Sequence, residues 1–310
     1  MRILIIDQMH ESIVPLLEEK GHRVDYKPSI DRKGIMACLG DYEGLIIRSK
    51  TPIDRPLLEK GRGLQFVARA GAGLDNIDLD YLEKNKIALY HAPEGNRDAV
   101  AEHAIGMLLA LFNHYIQSDQ QVRRGIWDRE ANRGEELAGK TVGIFGFGNM
   151  GEAFARKLRG FDVEILAYDK YKQGFGNSWV KECDFNTLQE NADVLSIHVP
   201  LTPETRYFFS SDVMTGFKKP FYLINTARGE VISMDTLNET LQNGVLKGAI
   251  LDVLEKEKLQ AFSAAERLSF EKLTERNNVI FSPHVAGWTR ESYLKINQVL
   301  VAKISGTWMG

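Results

Sequence analysis

Short apolar runs alternate with stretches of helical periodicity from the first residues: Ile3 to Ile6, then Ile13 to Lys20, then His22 to Tyr26. The alternation continues through Leu45 to Ile47, Leu64 to Arg69 and Lys86 to Tyr90, punctuated by Gly21, Gly40, Pro52 and the Gly71/Gly73 pair. This pattern predicts a parallel sheet with helices on both faces. Ala99 to about Arg124 reads as one long helix, apolar almost all round between Ala104 and Phe112. Such a helix is expected to be buried between domains, against another subunit, or at the centre of one core. Its Glu102-His103 pair lacks the spacing of a zinc site, so His103 is expected to be a hydrogen-bonded structural histidine. Trp127 to Ala138 reads as a polar connector. Strand-like runs resume at Thr141 to Phe145, Val163 to Tyr168, Val194 to Val199, Phe221 to Ile224, Val245 to Leu251 and Val279 to Phe281. Ser269 to Arg276 suits a solvated helix. From Trp288 a terminal helix is expected, with Thr289 as its N-cap and a stripe of Tyr293, Ile296, Val299 and Leu300 that needs a partner. The first domain can supply that partner, in which case the chain crosses between domains near residues 95 and 286.

The stretch Thr141 to Asp169 organises the rest. A β-rich run leads into Gly146-Phe147-Gly148-Asn149-Met150-Gly151, a helix and a second strand that ends in an acid, Asp169. In a dinucleotide fold Gly146 allows the tight turn, Gly148 lets the pyrophosphate approach the backbone, and Gly151 lets the helix lie close on the sheet. The N–H groups at the helix start then face the phosphates. Asp169 stands where a carboxylate takes the ribose hydroxyls and repels a 2′-phosphate, which favours NAD over NADP.

Composition changes the picture mainly by exclusion. A chain of 310 residues with 44% hydrophobic content supports two cores. A formal charge of -3, with both signs spread along the chain, predicts neither nucleic-acid binding nor an anionic-membrane surface, and leaves a small molecule as the expected partner. Cys38 and Cys183 lie far apart, without metal-site or redox spacing, and are expected to be buried reduced thiols; no metal is expected. Neither a signal peptide nor a membrane span is legible, so the cytoplasm is the expected compartment.

The later strands end in polar groups: His198-Val199-Pro200-Leu201-Thr202-Pro203, Asn225-Thr226-Ala227-Arg228-Gly229, Asp252 and Ser282-Pro283-His284. In an open α/β sheet ligands bind outside the carboxyl ends of the strands, so these segments are expected to gather around the cofactor.

Together the residues resemble the D-isomer-specific 2-hydroxyacid dehydrogenases, especially the D-3-phosphoglycerate dehydrogenase branch. The resemblance runs almost the whole chain. It is carried by Arg69-Ala70-Gly71-Ala72-Gly73-Leu74-Asp75-Asn76-Ile77-Asp78, Val100-Ala101-Glu102-His103, the Gly146 to Gly151 fingerprint, Asn225 to Gly229, Ala249-Ile250-Leu251-Asp252-Val253 and Ser282-Pro283-His284. It implies an α/β chain of two doubly wound parallel-sheet domains. A Rossmann-type NAD domain, 96–285, is inserted into a flavodoxin-like substrate domain, 1–95 completed by 286–310. It further implies catalytic Arg228, Glu257 and His284, and homodimers built through the NAD domains, which would account for the apolar helix near Ala104 to Phe112. The cofactor set comprises Gly146, Gly148, Asn149, Met150, Gly151 and Asp169, joined by His198, Pro200, Thr205, Thr226, Ala227, Asp252 and His284. The substrate set is Arg48, Arg69, Ala72, Gly73 and Arg228. Two features depart from the family pattern. The segment after Asp252 lacks the usual proline after the glutamate, so Glu255 stays an alternative to Glu257; and Trp288 stands where small residues are common. The chain ends at Gly310 without the C-terminal regulatory domain of some phosphoglycerate dehydrogenases, so serine feedback through such a domain is not expected.

The expected chemistry is NAD-dependent oxidation of a D-2-hydroxy acid to the 2-keto acid, with 3-phosphoglycerate to 3-phosphohydroxypyruvate, a step of serine biosynthesis, as first choice. His284 would accept the hydroxyl proton, Glu257 would fix its tautomer, and Arg228 would clamp the substrate carboxylate. Two alternatives stay open: a glyoxylate or hydroxypyruvate reductase, and a non-catalytic NADH-sensing, corepressor-like binding protein.

Overall fold

In the computed structural model of the chain, which describes residues 1–307, five short strands of the first third pair in parallel: β1 (Arg2–Ile5), β2 (Arg23–Tyr26), β3 (Gly44–Ile47), β4 (Phe66–Arg69) and β5 (Ala88–His91). Their order is β2-β1-β3-β4-β5. A second sheet holds β6 (Thr141–Phe145), β7 (Glu164–Tyr168), β8 (Lys181–Glu182), β9 (Val194–Ile197), β10 (Phe221–Asn225), β11 (Leu246–Leu251) and β12 (Val279–Phe281). All seven are parallel, in the order β12-β11-β10-β9-β6-β7-β8.

The two-residue side-chain alternation of a strand sorts apolar residues onto the two faces of each sheet. In the second sheet Val142, Ile144, Ile224 and Ile250 join one core, while Phe145, Leu223, Ala249 and Leu251 join the other. The first sheet does the same with Ile3, Ile5 and Ile46 against Leu4, Ile6, Leu45 and Ile47. Burial on both faces explains why these strands read as continuous apolar runs rather than alternating ones.

The chain divides into two compact units, Met1–Arg97 with the segment that begins at Trp288, and Asp98–Gly287. The crossings therefore fall two residues beyond the expected ones, and positions 308–310 of the expected substrate domain lie outside the described residues. The helix Arg290–Ile304 starts on Thr289, whose Oγ1 accepts from Ser292 N at 3.0 Å while Ser292 Oγ accepts from Thr289 N at 2.9 Å. Its Ile296, Val299, Leu300 and Ile304 enter the core of Ile3, Ile5, Ile13 and Leu17. Gly95 lets this helix approach, because a Cβ there would meet Ile296 Cα at 2.6 Å.

Three expectations need correction. The long helix is two helices, Arg97–Phe112 and Tyr115–Arg123, broken at Asn113 and at His114, which takes a left-handed φ of 51°. Helical periodicity carries no sign of such a break when neither Gly nor Pro marks it. The apolar Arg97–Phe112 helix needs no second subunit to bury it, since Ala104, Leu108, Leu111 and Phe112 pack with Val142, Ile144, Ile224 and Ile250 in its own unit. The cysteines are half-buried, not buried; burial nevertheless pushes the Cys183 thiol up to about 11, ahead of the influence of Asp184 and Glu182, which leaves it protonated and inert.

The connector after Tyr115–Arg123 is fastened at Glu135. Its carboxylate accepts from Tyr222 Oη at 2.7 Å, from Lys247 Nζ at 2.8 Å and from Lys140 Nζ at 3.1 Å. Burial alone would raise this carboxyl; the hydrogen bonds from Lys247, Tyr222 and Lys140 outweigh it and hold the group at about 2.

Candidate active site

The connectivity of the second sheet reverses between β6 and β9, and the chain places its fingerprint there. Gly146 follows β6 with φ 97°, and a Cβ on it would meet the His198 carbonyl oxygen, at the end of β9, at 2.6 Å. A Cβ on Gly151 would overlap the Gly146 carbonyl, which is why the helix Asn149–Leu158 can start directly against the turn. Gly148, its N-cap, supplies no side-chain acceptor, and a Cβ there would meet nothing within 4 Å. The first turn, with Asn149, Met150 and Gly151, thus offers N–H groups and an open approach, which suits a pyrophosphate.

Asp169 ends β7. Its Oδ2 accepts from Phe147 N at 2.8 Å and its Oδ1 accepts from Tyr171 N and Lys172 N, both at 2.9 Å. The carboxylate therefore pins the glycine loop and the following turn, with lone-pair capacity on Oδ2 remaining for a ribose hydroxyl. After β9, burial pushes the His198 imidazole down to about 3, and its Nε2 lies 2.8 Å from Ser196 Oγ; the ring is neutral. Thr205 turns inward, its Oγ1 donating to Pro200 O at 2.7 Å and accepting from Thr202 N at 2.8 Å, so it shapes the loop carrying Pro200.

After β10, Asn225 fixes the next loop by accepting from Ala227 N at 3.0 Å and donating to Arg228 O at 2.9 Å. Arg228 is half-buried, and its Nη1 donates to Ala227 O at 2.6 Å. The enclosed Thr226 Oγ1 has no hydrogen-bond partner among the described residues, an unsatisfied polar atom at the same sheet end as the fingerprint.

Asp252, buried at the end of β11, accepts from Ser282 Oγ at 2.5 Å and from Val285 N and Ala286 N at 2.9 Å. It holds the loop around His284, a role its sequence position did not reveal. His103 joins this anchor through its Nε2, 2.9 Å from Ser282 Oγ. His284 sits in the left-handed region at φ 55° and points its Nδ1 at Glu257 Oε1, 2.7 Å away. Both side chains are about half exposed. Glu255, the alternative, is engaged elsewhere: its Oε2 accepts from Met234 N at 2.5 Å, at the positive end of the helix Met234–Gln242. Among the described residues no group of His, Cys, Asp and Glu is arranged to hold a metal, and no helix is long and apolar enough to cross a membrane.

In the first unit Arg48 follows β3, at the reversal between β1 and β3. Its backbone N donates to buried Asp7 at 2.5 Å, and its guanidinium carbon lies 4.2 Å from the Trp288 ring centre and 4.8 Å from that of Tyr293. The unexpected Trp288 thus supports an arginine. Arg69 ends β4 with its guanidinium over Gly71, where any Cβ would overlap it. The Gly71–Gly73 loop is stitched to β5 by His91, whose Nδ1 lies 3.1 Å from Ala72 O.

Residues 105–286 match the family model described as D-isomer specific 2-hydroxyacid dehydrogenase, NAD binding domain. The chain is 31% identical over 98% of its length to a D-3-phosphoglycerate dehydrogenase of Archaeoglobus fulgidus, and spans 56% of that protein. It is 32% identical over 98% of its length to a hydroxypyruvate reductase of Thermotoga maritima, and spans 97% of that one. Among solved structures it resembles a D-lactate dehydrogenase of Aquifex aeolicus complexed with NAD and lactic acid, at 26% identity and a TM-score of 0.82, covering 99% of this chain and 96% of the other.

Proposed function

The chain belongs to the D-isomer specific 2-hydroxyacid dehydrogenases, and from that premise we propose that it oxidises a D-2-hydroxy acid with NAD, and reduces the 2-keto acid in reverse, with 3-phosphoglycerate as the substrate. The observation that carries the proposal is the 2.7 Å His284–Glu257 pair, at the same sheet end as the glycine fingerprint and the Arg228 loop. When bound, the cofactor supplies the hydride acceptor. His284 Nε2 takes the hydroxyl proton in oxidation and returns it in reduction, while Glu257 on Nδ1 fixes the tautomer and ring orientation. Arg228 clamps the substrate carboxylate with two parallel donors. Gly146, Gly148, Asn149, Met150 and Gly151 hold the pyrophosphate, Asp169 the ribose and Thr226 and Ala227 the nicotinamide half. Arg48 and Arg69, with Ala72 and Gly73, serve the acid.

The choice of substrate rests on Arg48, which Trp288, Tyr293 and Asp7 hold in one position at a strand end. Each charge-assisted contact to a phosphate contributes roughly 1.5–3 kcal/mol. Initial rates with NAD should therefore favour 3-phosphoglycerate over glycerate by at least about tenfold in kcat/KM, and Arg48→Ala should erase most of that gap. NADP in place of NAD should be poorly used because of Asp169. A hydroxypyruvate or glyoxylate reductase is the second reading, favoured by the full-length match to a hydroxypyruvate reductase; higher efficiency on the unphosphorylated acids would establish it instead. Tight NADH binding without turnover on any of these acids would point to a sensor.

Assembly belongs to the same reading. The helix Tyr115–Arg123 buries none of its side chains, and Tyr115, Ile116, Val122, Ile126 and Trp127 are exposed, Trp127 by 79%. Two copies of the NAD-binding unit pair through this apolar arm. Sedimentation should give a dimer that Ile126→Glu with Trp127→Glu converts to monomer; an unchanged sedimentation coefficient in the double variant would refute this interface.

A further inference from the structure

The turns that leave β7 and β9 flank β6, because the local strand order is β9-β6-β7. Each turn is stiff. The β7 turn is fastened to the glycine loop twice, through Asp169 Oδ2, which accepts from Phe147 N at 2.8 Å, and through Lys172 Nζ, which donates to Phe147 O at 3.3 Å. The β9 turn is closed by Thr202 and Thr205, whose hydroxyls lie 3.1 Å apart. Glu204 reaches from the second turn to the first: it pairs with Lys170 Nζ through Oε1 and accepts from Tyr171 Oη through Oε2. A link between loops on either side of β6 passes in front of the carboxyl end of β6, where the glycine loop lies. Nothing in the packing of the unit requires Tyr171 there, since its side chain is 81% exposed.

We propose that Lys170, Tyr171 and Glu204 form a clasp across the adenosine half of the dinucleotide site that slows departure of the cofactor. The proposal rests on the reading that this sheet end takes a dinucleotide. Because both turns are rigid, opening the clasp costs one exposed ion pair and one charge-assisted hydrogen bond, and closing it places the Tyr171 ring beside the bound adenosine. The effect belongs in the dissociation rate, where most differences of affinity between related complexes lie.

The test is stopped-flow displacement of NADH followed by its fluorescence, for the native protein, Glu204→Ala, Glu204→Gln and Tyr171→Phe, repeated with reduced nicotinamide mononucleotide, which lacks the adenosine. Glu204→Ala should raise the NADH dissociation rate two- to tenfold, with the dissociation constant following, and leave the mononucleotide unchanged. Tyr171→Phe and Glu204→Gln should each give part of that rise. Added salt should speed NADH release from the native protein, by screening Lys170 from Glu204, and have little effect on Glu204→Ala. Native dissociation rates in Glu204→Ala, or an equal change with the mononucleotide, would overturn the clasp alone. Absence of NADH binding to the native protein would overturn the dinucleotide reading and the clasp with it.

Discussion

His284→Asn should lower kcat by roughly 10²–10⁴-fold in both directions while leaving NADH binding within about twofold, since positioned acid–base catalysis contributes on that order. The companion variant separates the two members of the pair. Glu257→Gln keeps an acceptor near Nδ1 but can also present its NH₂ group to the ring, so the tautomer is no longer fixed; kcat should fall, by less than in His284→Asn. Both carboxylate and imidazole are about half exposed, so the pair contributes little to stability, and neither variant should move the melting temperature by more than a degree or two. The pH profiles carry the sign. Hydroxy-acid oxidation needs the imidazole neutral and should fail on the acidic side. Keto-acid reduction needs it protonated and should fail on the alkaline side. If His284→Asn retains native rates and both limbs, His284 is not the proton carrier.

Much of the candidate site is legible in the sequence, and the reason is local. The glycine spacing, the strand before it and Asp169 after it are each readable within thirty residues, because a dinucleotide turn is built from consecutive residues. The polar strand ends were readable as well, since a parallel sheet delivers every carboxyl end to one edge. What stayed hidden depends on contacts between residues distant in the chain. Spacing from Asp252 favours Glu257 but leaves Glu255 open; only the fold shows that the Glu255 carboxylate accepts from Met234 N, 21 residues earlier in the chain. Asp252 read as a cofactor contact because nothing in the sequence says that its carboxylate faces Ser282, Val285 and Ala286. The break at Asn113-His114 is hidden because a left-handed histidine leaves no compositional trace, and with it the exposed arm beyond. Trp288 stood out as a departure, but its use, as a platform for Arg48, needs the two chain ends brought together.

Gly229→Ala should be among the most damaging small substitutions in the second unit, because it strikes where the loops bearing Arg228 and Glu257 touch. Gly229 is buried, and an added Cβ would overlap the Leu254 carbonyl carbon and oxygen and crowd Glu255 N. These are backbone atoms, which cannot rotate aside as a side chain can, so one loop must move. Overpacking of this kind costs typically 1–3 kcal/mol, which in a unit of this size lowers the melting temperature by about 2–4 °C per kcal/mol. The larger effect should be on the reaction. Pushing the Leu254–Glu257 segment outward shifts Glu257 against His284, and displacement of a catalytic group by about 1 Å can cost on the order of 10²-fold. The expected signature is therefore a kcat loss much larger than the loss of stability implies, with NADH affinity falling less than kcat because the glycine fingerprint and Asp169 lie on other strands. Gly160→Ala is the control: a Cβ there meets nothing within 4 Å, so activity and melting temperature should both stay native. Native kcat in Gly229→Ala would mean that the two loops can separate without disturbing the His284–Glu257 pair, and that the close approach at Gly229 does not set the geometry of the site.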